Sequence, residues 1–297
     1  MEPLCKLCKR NTDLQNSHIL PRFLGKYLKK TSATGFLIAE NNNGNPYRQQ
    51  DLAKTKLLCI DCEGLLNKTE TFFANNVFHP FKEGNLKNIP IDDKLGKFAI
   101  SIGLRALWIM QFIEHPIAIK LKDKLEQLEN NWRGYLLGDR GATAGETTHH
   151  ILLCNEKLLA LGLKSNPNLI YNILRTSAYY IFEKFDNAYI FANLAGVQVI
   201  SMISPDKLPV SRGTEVYPNQ TFGIIKPAGI GWGGYYQNLT EFSAKCNNTL
   251  GRISKDYKNT IKYSTINNIQ KAIDSEDVRI LKMQQNLYSC FQEESEQ

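Results

Sequence analysis

The length and composition of the chain are those of a globular protein with two folding units. Its 297 residues exceed the roughly 100 to 200 residues of a typical domain, and 42% of them are hydrophobic. This composition excludes a chain that is disordered throughout, because it supplies enough apolar surface for a substantial core. The sequence begins Met-Glu-Pro-Leu-Cys, without an apolar run behind a basic start, so we expect no signal peptide and a reducing, cytoplasmic location.

Positive charge is concentrated at the beginning of the chain. The whole sequence has a formal charge of +7, and residues 1–30 hold seven Lys or Arg side chains against Glu2 and Asp13. Such a local excess is typical of a surface that faces phosphates, because neutralised phosphates release counterions whatever their sequence. The alternative is a patch that serves solubility alone.

Four of the seven cysteines form two matched pairs. Cys5 and Cys8 are separated by two residues, and so are Cys59 and Cys62, whereas the other three cysteines are scattered singly. Two such pairs about fifty residues apart can converge on one tetrahedral Zn²⁺. The spacing therefore predicts a structural zinc site with four cysteine ligands. The alternatives are a redox-active pair and chance.

Local signals predict the elements between and after these pairs. Pro21 favours an extended residue before it and suits the first turn of a basic helix after it. Residues 41–46 form a loop by composition. A helix is predicted over residues 62–78, with Glu63 and Asn67 one turn apart on the same face.

Long helical patterns dominate the sequence from residue 92 onward. Helices are predicted over residues 95–113, 117–137, 168–184, 238–257 and 266–287, and strands over residues 189–203 and 215–225. The longest apolar stretch, residues 98–113, is shorter than the roughly 18 to 20 residues that span a bilayer, so no membrane partner is expected. Arg105 within it is expected to pair with a buried carboxylate or carbonyl, or to line a ligand pocket.

The segment between the two cysteine pairs carries a family resemblance. It contains Asn-Ser-His-Ile-Leu-Pro-Arg at residues 16–22, and the second pair is followed directly by Glu63. This order over residues 5–70 resembles the HNH (ββα-metal) nucleases. In the zinc-bearing members of that family, two knuckles fasten a β-hairpin to a helix, and a His before Ile-x-Pro faces metal ligands on the helix. The resemblance implies that His18 is the general base that takes a proton from the attacking water.

The resemblance also implies a catalytic ion that is separate from the zinc. The helix ligands of the family usually begin directly after the last knuckle cysteine and recur one turn on, which corresponds to Glu63 and Asn67 here. Both side chains offer oxygen atoms, the ligands that suit Mg²⁺ or Mn²⁺. The alternatives are a carboxylate that interacts with the helix dipole for Glu63 and a solvent-facing amide for Asn67.

The sequence departs from the pattern of the family in three respects. Ser17 stands where an acidic residue or His is common, Glu63 where a His is usual, and Lys54 and Thr55 where a middle Asn is frequent. These departures leave two interpretations open. One is a variant catalytic site, and the other is a zinc finger that binds nucleic acid or protein without hydrolysis.

Four basic residues follow Pro21 on the predicted helix. Arg22, Lys26 and Lys30 are spaced four apart, and Lys29 lies beside them. We expect these side chains to bind phosphates rather than bases. The alternative is a solvated face.

The sequence thus predicts an α+β protein of two domains. Residues 1–90 are expected to form a zinc-stapled HNH-type finger of treble-clef form, and residues 91–297 a larger, mainly helical accessory domain with a few strands. The expected activity is phosphodiester hydrolysis in double-stranded DNA, with structural Zn²⁺ and catalytic Mg²⁺ or Mn²⁺. The accessory domain is expected to recognise or position the nucleic acid or to regulate the nuclease. An oligomer or a regulatory partner is expected to bind through this domain. Resemblance to components of bacterial restriction or antiphage defence implies a host-defence role.

Overall fold

The chain folds into two compact units whose segments alternate along the sequence. The computed structural model describes residues 3–41, 43–86, 89–90, 92–139, 149–154, 159, 166, 168–184, 187–203, 215–216, 224–225 and 233–295. The first unit comprises Met1–Pro21, Ala53–Leu153 and Ser177–Gly231, and the second comprises Arg22–Leu52, Cys154–Thr176 and Trp232–Gln297. The expected boundary at residue 90 falls inside the first unit. Independent folding of residues 1–90 stays a prediction.

Strands and helices occur along the whole described chain. The strands are β1 Gln15–His18, β2 Leu37–Glu40, β3 Pro46–Gln49, β4 Lys54–Leu58, β5 Ile89–Pro90, β6 His149–Leu153, β7 Ser177–Lys184, β8 Asn187–Leu194, β9 Val197–Met202, β10 Glu215–Val216 and β11 Ile224–Ile225. The helices are α1 Arg22–Lys30, α2 Ile60–Phe73, α3 His79–Lys82, α4 Asp93–Phe112, α5 Pro116–Lys120, α6 Lys122–Leu137, α7 Leu169–Arg175, α8 Gly233–Gly251, α9 Lys255–Ile266, α10 Ile269–Ile273 and α11 Glu276–Ser295. A π-helical turn, Ala74–Phe78, joins α2 to α3. The α+β class is confirmed.

Two strands and one helix surround the cysteine pairs in the first unit. Strands β1 and β4 are antiparallel, with Gln15 opposite Leu58 and His18 opposite Lys54. Helix α2 begins two residues after β4 ends. We call residues 3–21 and 53–73, which contain these elements, the finger. Among the residues that the structure describes, no helix has the length and apolar composition needed to cross a membrane.

Helix α4 lies at the centre of the first unit. The side chain of its N-cap residue, Asp92, accepts a 2.9 Å hydrogen bond from a backbone N–H of the first turn. Buried side chains occupy all sides of α4, because α2, α6 and the strands β8 and β9 pack around it. The rings of Phe73 in α2 and Phe98 stack with centroids 3.7 Å apart. A Cβ added at Gly103 would lie 2.7 Å from Ser201 Oγ, so a glycine is needed for this close approach of α4 to β9.

Five strands of the first unit form an antiparallel sheet in the order β10-β6-β9-β8-β7. Every side chain of β6 and β9 is buried, so both faces of the sheet centre are covered. The turn between β8 and β9 consists of Ala195 and Gly196, both with positive φ, as a type I′ hairpin turn requires. The strand predicted over residues 189–203 is therefore two paired strands.

The helix predicted over residues 168–184 is wrong beyond Arg175. Residues 177–184 form β7, which pairs with β8 along its whole length. The sequence Ser-Ala-Tyr-Tyr-Ile-Phe-Glu-Lys is rich in aromatic residues, which fit a pleated surface better than a helix that is crowded at χ1. Cross-strand pairing thus overrides the apolar spacing that favoured a longer helix.

The helices predicted at the end of the chain are divided by serine caps. The segments 238–257 and 266–287 are occupied by parts of four helices, α8 to α11. Ser254 Oγ accepts a 3.2 Å hydrogen bond from the N–H three residues ahead, at the beginning of α9, and Ser275 Oγ accepts one of 3.3 Å at the beginning of α11. Such side-chain acceptors satisfy the unpaired N–H groups of a new helix.

In the second unit, α7 packs against α8 and α11. Arg175 at the end of α7 forms a 2.6 Å ion pair with Asp277 of α11. Its other guanidinium nitrogens donate to Leu28 O at 3.1 Å and to Thr31 Oγ1 at 2.9 Å. Because Leu28 and Thr31 lie at the C-terminal end of α1, the guanidinium caps that helix end, where a cation is favoured.

Candidate metal centre and neighbouring polar site

The four paired cysteines converge in the finger. The Sγ atoms of Cys5, Cys8, Cys59 and Cys62 all lie within 4.8 Å of one another, and those of Cys8 and Cys59 are 3.8 Å apart. Zinc–sulfur bonds of about 2.3 Å in a regular tetrahedron place the sulfurs roughly 3.8 Å apart. The cluster therefore has the ligand type, number and spacing that Zn²⁺ requires, and it can hold a zinc ion.

Backbone hydrogen bonds shape the first knuckle. The N–H of Cys5 donates to Arg10 O at 3.0 Å, and the N–H of Lys9 donates to Cys5 O at 2.9 Å. Lys9 has a φ of 57°, the left-handed conformation that closes this turn. The turn brings the chain back on itself, so that both sulfurs of the pair can reach one ion.

The second knuckle is the beginning of a helix. Cys59 is the N-cap residue of α2, and its carbonyl accepts a 2.9 Å hydrogen bond from the N–H of Glu63. Cys62 therefore lies in the first turn of α2. A 2.9 Å bond from the N–H of Lys6 to Leu57 O joins the two knuckles directly.

Helix α6 anchors the first knuckle to the rest of the unit. Lys9 Nζ and Glu129 Oε1 form a 2.7 Å ion pair, and Arg133 Nε donates to Leu7 O at 2.6 Å. The Leu7 side chain is fully buried in a core that the finger shares with α4 and α6. Glu129 and Arg133 carry no local sequence signal for this role, because they are 120 and 126 residues from their partners.

The thiols of the cluster differ in acidity. Burial raises the pKa of Cys5, and burial together with the neighbouring sulfurs raises that of Cys62. Burial also acts to raise the pKa of Cys8, but hydrogen bonds from Arg10 and from neighbouring cysteines outweigh it and lower that pKa to about 6. A bound cation would favour the deprotonated thiols, so zinc binding by these four sulfurs would be coupled to folding of the finger.

A partly buried hydrogen bond joins β1 to α2. Ser17 is fully buried, and its Oγ donates to Glu63 Oε2 at 2.7 Å. His18 follows directly as the last residue of β1 and is half-buried, so water can reach it. Because adjacent residues of a strand face opposite ways, the imidazole lies on the face of β1 opposite to the one that Ser17 turns to Glu63.

The remaining residues of α2 divide between solvent and core. Asn67, one turn beyond Glu63, is exposed, whereas Glu70 is buried and forms a 2.5 Å ion pair with Arg105 of α4. The expectation that Arg105 pairs with a buried carboxylate is thus confirmed. Within the described part of the chain, the four cysteines are the one group of three or more His, Cys, Asp or Glu side chains that could share an ion.

The basic residues of α1 lie in the second unit. Arg22, Lys26 and Lys30 are exposed, while Lys29 is half-buried and donates to Gln50 O at 3.0 Å. Leucines of the same helix are buried, which makes α1 amphipathic. Three of the four predicted phosphate-binding side chains are therefore open to solvent.

Comparison of the chain with known proteins and structures adds nothing to this description. No family model matches the chain, and neither a curated protein nor a solved structure is significantly similar to it. The function must therefore be inferred from the geometry of the centre and of its neighbouring polar residues.

Proposed function

We propose that the chain is a metal-dependent nuclease of the HNH type that cuts DNA, with its chemistry in the finger. The observation that carries this proposal is the 2.7 Å bond between Ser17 and Glu63. It fastens the end of β1, which carries His18, to the first turn of α2, which carries Glu63. A four-cysteine centre beside them supplies the rigidity that a small catalytic unit needs.

In this proposal, each side chain has one task. His18 accepts a proton from the water that attacks phosphorus, for which imidazole suits neutral pH. Glu63 and, one turn on, Asn67 offer oxygen atoms to a catalytic Mg²⁺ or Mn²⁺. That ion, when bound, stabilises the charge that develops on the phosphate and the leaving oxygen.

The substrate proposal rests on charge. Arg22, Lys26 and Lys30 are exposed cations at helical spacing, and they suit the phosphates of double-stranded DNA. Replacing Arg22 and Lys30 by Glu should weaken binding to unrelated DNA sequences equally and reduce the slope of log K against log salt by about two. An unchanged slope would identify a solvated face.

A role in restriction or antiphage defence is the matching biological proposal.

The decisive experiment compares His18→Ala with wild type in a metal-dependent plasmid-cleavage assay. Loss of a positioned base usually lowers the rate about a hundredfold to ten-thousandfold. Zinc content and DNA affinity should remain as in wild type. His115→Asn is the matched control, because it removes an imidazole but keeps a side-chain acceptor for the helix cap at Ile117 N. Undiminished cleavage by His18→Ala would end the proposal.

A second candidate is a zinc finger that binds nucleic acid or protein without hydrolysis. Two observations favour it. The hydroxyl of Ser17 already occupies one oxygen of Glu63. Adjacent residues of a strand face opposite ways, so the His18 side chain lies on the face of β1 opposite to Ser17 and Glu63. Wild-type protein that carries zinc and binds DNA, yet leaves plasmid intact in both Mg²⁺ and Mn²⁺, would establish this candidate.

A further inference from the structure

One edge of the four-cysteine centre is open to solvent. Cys5, Cys59 and Cys62 are buried, whereas Cys8 is half-buried. A chelator or another competitor for the metal therefore approaches the centre on the side of Cys8. The groups that cover this sulfur decide how easily a ligand can be displaced.

The guanidinium of Arg10 lies over this edge. Its Nε donates to Cys8 Sγ at 3.3 Å, and its Nη2 lies 3.8 Å from Cys59 Sγ. The same Nη2 forms a 2.8 Å ion pair with Asp61. One side chain thus contacts one ligand from each knuckle, and an aspartate within the second knuckle orients it.

Charge gives this contact a chemical consequence. Zn²⁺ with four thiolates carries a net charge of −2, and N–H donors to the sulfurs draw electron density away from them. Buried sulfurs also receive such donors, since the N–H of Cys59 donates to Cys5 Sγ at 3.3 Å. Arg10 is the donor that adds a full positive charge at the open edge.

We propose that Arg10, held by Asp61, is a positioning residue that retains the metal in the four-cysteine centre. This inference rests on the four-cysteine cluster and does not depend on the nuclease proposal. The role requires the planar guanidinium with its several N–H donors, because a single ammonium group cannot reach Cys8, Cys59 and Asp61 together. The Arg10 and Asp61 side chains are 60% and 70% exposed, so their ion pair adds little to folding stability, and its effect falls on metal retention.

The test measures zinc transfer from the full-length protein to a chromogenic chelator at neutral pH. Arg10→Gln should release zinc about tenfold faster than wild type, the lower end of the usual loss when an outer partner of a metal ligand is removed. Arg10→Lys keeps the charge without the planar guanidinium, so it should release zinc at a rate between those of wild type and Arg10→Gln. Asp61→Asn should also release zinc faster than wild type. The matched control is Lys6→Gln, which removes an exposed cation of the same knuckle. It should behave as wild type.

A spectroscopic measurement separates this role from a merely structural one. In the cobalt-substituted protein, loss of an N–H···S bond should move the sulfur-to-cobalt charge-transfer band of Arg10→Gln to lower energy, while Lys6→Gln leaves it in place. Zinc release from Arg10→Gln at the wild-type rate would overturn the proposal. So would equal acceleration in Lys6→Gln, because any nearby cation would then suffice, or an unshifted band in Arg10→Gln.

Discussion

The finger and the sheet of the first unit are stabilised in different ways. In the finger, β1 and β4 make a sheet of two short strands, and four sulfurs gather where apolar side chains would otherwise pack. In the larger sheet, β6 and β9 have every side chain buried. Two strands are marginal by themselves, whereas the five strands pack against α4 in a core to which the finger adds its own buried leucines. The comparison indicates that the finger can add metal binding to its apolar packing, whereas the larger sheet relies on apolar burial.

Removal of one zinc ligand should give the largest effect and separate the two regions. Cys59→Ser should release the metal and unfold the finger, since zinc binding by small fingers supplies about 10 to 16 kcal/mol of apparent free energy. Amide hydrogen exchange should lose protection in β4 and α2 but keep it in β8 and β9. Elemental analysis gives the zinc content, and Cys246→Ser, outside the cluster, is the control. Full zinc retention in Cys59→Ser would refute the four-cysteine site.

The buried ion pair between α2 and α4 tests how far the regions are coupled. Glu70→Ala should destabilise the protein by about 3 to 5 kcal/mol in denaturant unfolding, because it leaves the Arg105 guanidinium buried without its counter-charge. Nε and Nη1 of Arg105 already have no hydrogen-bond partner among the described residues. Glu70→Leu combined with Arg105→Met should recover most of the loss. A small effect of Glu70→Ala would mean that finger and core are independent.

The contact of α4 with the sheet should resist added volume. Gly103→Ala places a methyl group 2.7 Å from Ser201 Oγ and 3.1 Å from a ring carbon of Trp132, so we expect a loss of about 1 to 3 kcal/mol. Gly64→Ala in α2 is the matched control, because nothing lies within 4 Å of its added Cβ. That change should stabilise the protein by about 0.5 to 1 kcal/mol. Equal shifts of the melting temperature in the two variants would show that the neighbours of Gly103 move aside at little cost.

Acid should weaken the sheet through His149. Burial, with a smaller contribution from His150, lowers the pKa of His149 to about 3 from its usual value near 6.5. The unfolded chain therefore binds the proton first, so the stability is complete above pH 6.5 and falls as the pH drops towards 3, by at most about 1.4 kcal/mol per unit. His149→Gln should remove this component of the slope between pH 7 and 5 in denaturant melts. Loss of zinc in acid affects wild type and His149→Gln alike, so it cancels in the comparison. If stability falls with pH equally in both proteins, the component assigned to His149 is absent.

Some of this arrangement could be predicted from sequence because its signals are local. The two cysteine pairs predicted the cluster, and the apolar spacing predicted α4 close to its observed bounds. The helix predicted over residues 117–137 is instead divided at Leu121 into α5 and α6. Arg10 and Asp61 also lie within the knuckles, at two residues from Cys8 and from Cys59, so the contacts of Arg10 with the sulfurs and with Asp61 had a usable sequence signal. Proximity to paired cysteines is a reason to examine every donor nearby.

Other features depend on contacts that no local pattern encodes. The apolar spacing of residues 177–184 predicts the end of a helix, but pairing with β8 decides their conformation and makes them β7. The alternation of the two units likewise arises from pairings between distant segments. The roles of His18, Glu63 and Asn67 stay predictions, since they depend on an ion and a substrate rather than on the fold alone.

The cap that Arg175 and Asp277 provide for α1 has a consequence for protein synthesis. The residues of α1 are translated about 250 residues before Asp277, which at about 5 to 20 residues per second corresponds to roughly 12 to 50 s. Until Asp277 is made, Arg175 has no carboxylate to hold its guanidinium against the C-terminal end of α1. A ribosome that stalls before codon 277 therefore releases a chain whose basic helix ends without its ion-paired cap. Such products should be recognised early by proteases, because frayed helix ends are readily cleaved.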